Sequence, residues 1–293
     1  MSLKLTGNMK FHEDIRHFDI NEATKIYTRT VVGEKPGKTA LYIHGGGSGG
    51  NHTMLLRPAK WLIEKGLFSK VILPDRRGEG YSTPLTSKLS IKDHASDMKA
   101  LLDKMEIEGD VTVMGLSYGG PIAIELASMD SRIKEVILVA SSPSLKDVNG
   151  LRGILYRSNL LEKISTAYYK KNLGKLPAIY PDFESVYELK SNKELTEYFV
   201  HCIKQTDSQM LESIIYQNKS TLDQSNNGIT DGFNLDIPIF QVIGSKDEIW
   251  ETDIAPYKSR FSSLKSKIID GYEHKDAILK ADLFYNALLE IYN

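Results

Sequence analysis

Short apolar runs, each the length of a strand and none long enough for a helix, punctuate this chain at intervals. They are Thr39 to Ile43 (TALYI), Val71 to Leu73 (VIL), Asp110 to Met114, Val136 to Ala140 (VILVA) and Ile237 to Ile243 (IPIFQVI). A weaker one spans Lys267 to Asp270. Between the early runs lie stretches of helical period. Residues 54–65 are largely apolar and stop at Gly66. From Ser90 to Met105 the apolar positions 91, 95, 98, 101, 102 and 105 recur every three or four residues, and Ser90 with Asp93 forms a capping-box-like start. A third helix is expected through Ile122, Ile124, Leu126 and Ala127. Apolar strands alternating with amphipathic helices define a parallel sheet covered on both faces. Right-handed crossovers then leave a doubly wound sheet as the economical arrangement. Residues 10–32 alternate and carry Ile26, Thr28, Thr30, Val31 and Val32, which reads as two further strands and predicts eight in all.

The alternation fails between residues 142 and 235. Leu151 to Leu161, Glu162 to Tyr169, Glu194 to Lys204 and Ser208 to Tyr216 look helical, and no buried strand separates them. The expected organisation is a core of residues 1–141 and 236–293 with a helical insertion at 142–235. The 293 residues suffice for one large α/β domain carrying such an insertion. Aromatic residues in the insertion read as packing.

Charge excludes some partners. Lys and Arg number 37 against 38 Asp and Glu, a formal net charge of −1, so no overall field favours a nucleic-acid backbone or an anionic membrane. The single cysteine, Cys202, cannot form an internal disulfide. No stretch of about 18 apolar residues occurs, and the N-terminal stretch lacks an apolar signal-peptide core. A cytoplasmic protein acting on a small molecule or short peptide is expected.

Chemistry is concentrated at the ends of the runs. Gly115-Leu116-Ser117-Tyr118-Gly119, followed by Gly120, is a G-x-S-x-G pattern between a strand-like VTVM and a helix-like PIAIELA. That context lifts it above an ordinary glycine-rich turn: a serine exposed on a sharp strand-to-helix turn needs small residues on both sides. His44-Gly45-Gly46-Gly47-Ser48-Gly49-Gly50 closes the first run. Its glycines let backbone N–H groups approach a developing oxyanion, and the N–H groups of Gly46 and Tyr118 are the candidates. A phosphate loop is the competing reading, but the Gly-Lys-Ser/Thr it requires is missing.

A serine nucleophile needs a base held by a third group. Of seven histidines (12, 17, 44, 52, 94, 201 and 274), His274 follows the last expected strand, where open α/β sheets bind ligands. The acid should fall between nucleophile and base in chain order. Asp247 follows IPIFQVIGSK directly and is preferred, with Glu248, Glu251 and Asp253 as neighbouring rivals.

HGGG, GLSYGG, GSKD and GYEHKD, in that order, resemble the α/β-hydrolase superfamily over nearly the whole chain. The resemblance implies that residues 142–235 are the family's cap. It also implies acyl hydrolysis through an acyl-enzyme with Ser117, Asp247 and His274, without a metal or organic cofactor. Asp75-Arg76-Arg77-Gly78-Glu79-Gly80-Tyr81-Ser82 is similar to the D-x-R-G-x-G-x-S segment of prolyl-iminopeptidase-like branches, where it shapes the loop below the active site. Those peptidases carry HGGPG and GGSWG where this chain has HGGGSGG and GLSYGG, and their cap carboxylates bind a free amine. Glu184, Glu188, Glu194, Glu197 and Glu212 are candidates for that role. The expectation is thus a serine hydrolase of aminopeptidase or carboxylesterase type. A non-catalytic binding protein on the same fold is the alternative from another class.

Overall fold

The computed structural model describes residues 3–7, 9–46, 50–143, 167, 184–205, 213, 235–253, 255–257, 259–261 and 263–292. An eight-stranded sheet runs through it in the order β1-β2-β4-β3-β5-β6-β7-β8. The strands are β1 His12–Asn21, β2 Thr24–Val32, β3 Thr39–Ile43, β4 Lys70–Pro74, β5 Val111–Leu116, β6 Ile133–Val139, β7 Ile239–Gly244 and β8 Leu264–Ile269. β1 and β2, the two expected N-terminal strands, pair antiparallel, and β2 joins β4 antiparallel; every other pairing is parallel. β3 leads to β4 on one side of itself, and the chain then returns to place β5 on the other. The strand order reverses there, and the crevice it opens lies between His44 and Ser117.

The helices are α1 Thr53–Glu64, α2 Ile91–Lys104, α3 Gly119–Met129, α4 Asn192–Gln205, α5 Asp276–Leu279 and α6 Ala281–Tyr292, with a 3₁₀ turn at Glu184–Glu188. α2 begins as the sequence predicts: Ser90 accepts from the Asp93 N–H, and the Asp93 carboxylate caps back onto Ser90. β5 is buried at every position, as a central parallel strand must be. One apolar cluster, built on α1 and α6, includes Leu55, Leu62, Val71, Phe284 and Leu288; a second, built on α2 and α3, includes Leu41, Met98, Val113, Ile122 and Ile124.

β8 begins at Leu264, three residues before the run expected at Lys267 to Asp270. As an edge strand it alternates Leu264, Ser266 and Ile268 with lysines, so it shows no apolar run. α4 matches the helix expected at Glu194 to Lys204. The helices expected at 151–161, 162–169 and 208–216 fall almost wholly outside the described residues.

Pro58 lies inside α1. It has no N–H for the carbonyl four residues earlier, that of Met54. The Tyr187 hydroxyl, from the 3₁₀ turn, donates to that carbonyl at 2.5 Å. Beside it, Arg57 Nη2 donates to Glu188 at 3.2 Å. A helix defect in the core thus anchors the segment that leads into α4.

Candidate active site

Ser117 sits at the end of β5 with φ 49°, in the left-handed region. Such a conformation costs about 1–3 kcal/mol in a non-glycine residue and persists only where the surroundings impose it. Here Ser117 N–H donates to Val139 O at 3.0 Å, Gly120 N–H donates to Ser117 O at 2.9 Å, and Ser141 Oγ donates to the same carbonyl at 2.6 Å. Glycine is required around it. A Cβ at Gly115 would collide with the Gly119 backbone, and one at Gly119 with Ile43 O. The strained turn stands the hydroxyl out at the C-terminal edge of the sheet.

Ser117 Oγ lies 2.9 Å from His274 Nε2. His274 Nδ1 lies 2.8 Å from Asp247 Oδ2. Asp247 is fully buried, and its Oδ1 accepts the N–H groups of Ile249 and Trp250, each at 2.9 Å. Its other oxygen therefore serves the imidazole. With Nδ1–H directed at the carboxylate, Nε2 is left as the acceptor for the serine proton. This arrangement can activate a hydroxyl as a nucleophile.

The rival acids are engaged elsewhere. Glu248 accepts the main-chain N–H of His274 at 3.2 Å. Glu251 accepts the N–H groups of Thr252 and Asp253, and Asp253 that of Ala255. Of the other histidines, His12 and His17 lie on edge strand β1 and His201 is exposed on α4. His44, His52 and His94 are buried. His52 pairs with Asp75 at 2.8 Å, away from Ser117.

Gly45 and Gly46 lie beside Ser117 and Tyr118. A Cβ on Gly45 would lie 3.3 Å from Ser117 Cβ, and one on Gly46 would lie 3.1 Å from Tyr118 Cβ. Tyr118 is the N-cap of α3, so its N–H belongs to the positive end of that helix. Residues 47–49 of the glycine loop fall outside the described residues.

Two features are only partly legible, or not legible, in the sequence. Trp250, 2% exposed, donates its indole N–H to Ser117 Oγ at 3.3 Å. Only the turn after β7 brings it there, and no motif marks it. The charged segment at 75–80 is buried: Asp75, Arg76 and Glu79 are each 0% exposed. Its sequence gives equal warrant for a solvated loop.

A cavity of about 300 Å³ is lined by Ser117. Besides Ser117, His274, Gly45 and Gly46, its wall includes Met54, Leu195, Phe199, Ile249, Ala277 and Ile278. Among the described residues lining it, Lys275 is the one lysine, arginine or carboxylate side chain, and its ammonium pairs with Glu273 at 3.2 Å. A larger cavity, about 800 Å³, is lined by Tyr187, Lys190 and Glu273 among others, but by none of Ser117, Asp247 and His274. The smaller one is therefore the candidate site.

The chain belongs to the α/β hydrolase fold family, whose model matches residues 40–281. Solved structures similar to it include a thermophilic esterase from Thermogutta terrifontis, at 17% identity and TM-score 0.66, covering 94% of this chain and 97% of the esterase. The 2-hydroxy-6-oxo-6-phenylhexa-2,4-dienoate hydrolase from Rhodococcus sp. strain RHA1 is similar at 15% identity and TM-score 0.66, over 97% of this chain and 99% of that one. A bottromycin epimerase is similar too, at 14% identity and TM-score 0.62, over 95% and 99%. At such identities the likeness shows the fold, and these three proteins do different chemistry on it. No curated protein sequence matches the chain. Among the described residues no helix is long and apolar enough to cross a membrane.

Proposed function

We propose that the protein is a serine carboxylesterase for small esters with an apolar acyl group. The observation that carries this reading is the Ser117–His274–Asp247 hydrogen-bond chain opening into a small apolar cavity. Ser117 Oγ attacks the ester carbonyl carbon while its proton passes to His274 Nε2. The carbonyl oxygen becomes an oxyanion, held by the N–H groups of Gly46 and Tyr118. Collapse breaks the bond to the alcohol, which leaves with the proton from His274. Water then repeats the sequence on the acyl-enzyme and frees Ser117. Asp247 fixes the imidazole tautomer and stabilises the imidazolium.

The cavity's volume, at the lower end of ligand sites at ~300–1,000 Å³, supports a small substrate. The aminopeptidase reading is less well supported. Of the five cap carboxylates that would bind a free amine, the Glu184 side chain and Glu212 fall outside the described residues, while Glu188 pairs with Arg57, Glu194 accepts the N–H of Lys190 at 2.7 Å, and Glu197 is exposed beside Lys193. None of the three lines the cavity. The core of residues 1–141 and 236–293 would supply the chemistry and the cap, 142–235, the substrate preference. Lone Cys202 supports a reducing, cytoplasmic setting.

Comparing p-nitrophenyl butyrate with prolyl-naphthylamide at equal concentration tests the reading. Ester turnover in the wild type, abolished in Ser117→Ala, supports it. Faster release from the prolyl amide would make the protein a peptidase, and failure of a fluorophosphonate to label Ser117 would make it a binding protein.

A further inference from the structure

The buried segment Asp75–Glu79 reaches the proposed oxyanion hole from behind. The chain has no cis peptide bond among its described residues, so the Gly45 carbonyl and the Gly46 N–H lie in one peptide plane and point in opposite directions. Whatever holds that carbonyl therefore aims that N–H. Between two glycines nothing local does so, because neither residue restricts its backbone.

Two side chains hold it. Arg76 Nη2 donates to Gly45 O at 2.9 Å, and His44 Nδ1 lies 2.8 Å from the same oxygen. The Arg76 main-chain N–H donates to His44 Nε2 at 3.1 Å. That nitrogen must be an acceptor, so the ring proton is on Nδ1 and is given to Gly45 O. Burial, with the Arg76 charge adding to it, pushes His44 well below the ordinary histidine range, so the ring stays neutral and keeps this tautomer.

Arg76 also reaches the second half of the hole. Its guanidinium lies over the Tyr118 ring, 5.0 Å from the centroid, and Tyr118 carries the other proposed donor N–H. A Cβ on Gly46 would sit 3.4 Å from Arg76 Nη2. The fully buried guanidinium gives a second bond to Glu79 Oε1, at 3.0 Å. Among the described residues, its Nε and Nη1 find no acceptor. A buried cation with this much unused donor capacity is costly as a purely structural element. Beside a site where negative charge develops, the same cation lowers the energy of the charged state.

Resting on the serine-hydrolase reading above, we infer that Arg76 is a positioning residue for the oxyanion hole. With His44 it clamps the Gly45 carbonyl from behind, turns the Gly46 N–H toward the reacting carbonyl, and sets its charge against the oxyanion.

The test compares wild type with Arg76→Met, which keeps length but loses charge and donors, and Arg76→Lys, which keeps the charge without the planar fork. Each is assayed with p-nitrophenyl butyrate and with two inhibitors. One is a butyl trifluoromethyl ketone: Ser117 Oγ adds to its carbonyl carbon, the serine proton goes to His274, and the oxygen becomes a hemiketal oxyanion. The other is butyramide, a neutral ligand for the same cavity. In Arg76→Met, kcat and ketone affinity should fall together by about 10- to 100-fold, while KM and butyramide affinity stay within about twofold. Arg76→Lys should fall between, a graded response that mere packing would not give. Unchanged kcat and ketone affinity in folded Arg76→Met would overturn the inference, and so would equal losses for ketone and butyramide. If the Met variant does not fold, the Lys variant decides on the same two readings. Ser117→Ala separates the two levels: turnover retained there defeats the hydrolase reading, whereas turnover lost there with Arg76 variants unaffected defeats only the clamp.

Discussion

The indole N–H of Trp250 donates to Ser117 Oγ at 3.3 Å, and the same oxygen lies 2.9 Å from His274 Nε2. An indole nitrogen can only donate. The serine oxygen is thus made to accept there, and its single proton is left for the imidazole. The same N–H would stabilise Oγ when it is expelled from the acyl-enzyme. Trp250→Phe should therefore lower kcat, by about 10-fold if the bond contributes ~1.5 kcal/mol, with burst kinetics showing deacylation slowed more than acylation. Equal rates for both steps in the variant and the wild type would reduce Trp250 to a packing residue.

Asp247→Asn offers a sharper test of the tautomer argument. Its amide oxygen can still accept the N–H groups of Ile249 and Trp250, so the turn should survive. Its NH₂ would then face His274 Nδ1, forcing the ring proton onto Nε2, where it can no longer accept from serine. We expect kcat to fall by roughly 10⁴ with an unchanged melting temperature. Ser117→Ala should fall by roughly 10⁴ to 10⁶. A mild Asp247→Asn phenotype would point to another acid, Glu248 first.

The anchor at the α1 defect can be loosened without touching the chemistry. Tyr187→Phe removes the donor to Met54 O and leaves a buried carbonyl unpaired. The cost should be about 1–3 kcal/mol, measured by urea unfolding. Because Met54 also lines the cavity, KM should rise more than kcat falls. A variant as stable as the wild type would mean that water or another group satisfies that carbonyl.

The acyl preference should answer to α4. Phe199 and Leu195 project into the cavity from that helix. Phe199→Ala should raise kcat/KM for p-nitrophenyl octanoate relative to butyrate, by about 10-fold for each ~1.4 kcal/mol of relieved crowding. An unchanged ratio would place the acyl chain elsewhere.

Burial pushes the Glu79 carboxyl up to about 8, with Arg76 opposing and the charge of Asp75 adding. One buried guanidinium faces two buried carboxyls, and the second gains little by ionising. Between the ordinary value of 4.5 and about 8 the folded state binds the proton that the unfolded state has lost, so stability falls as pH rises through that window. Glu79→Gln should flatten this slope, seen as thermal melts from about pH 5 to about pH 9. Parallel curves for the two proteins would show Glu79 ionised throughout.

Much of this architecture was legible before any coordinates. The β5 run, the Ser90 capping box and the glycines around Ser117 each state a local requirement that one residue type meets, and each appears where the sequence puts it. β8 was half hidden because an edge strand does not need two apolar faces. α6, with Ala281, Phe284, Tyr285 and Leu288 buried on one face, carried a readable helical period that the motif around His274 overshadowed. Arg76 and Trp250 were not legible for a different reason. Their partners, Gly45 O and Ser117 Oγ, lie 31 and 133 residues away, and only the assembled sheet decides that they meet.

Ser117, the proposed nucleophile, precedes His274 by 157 residues, and Asp247 precedes His274 by 27. A chain emerging from the ribosome therefore carries an inert hydroxyl until its final strand has docked and delivered the imidazole. On the proposed mechanism, reactivity would arrive only with the last of these three side chains, so fragments cut short of His274 should show no esterase activity.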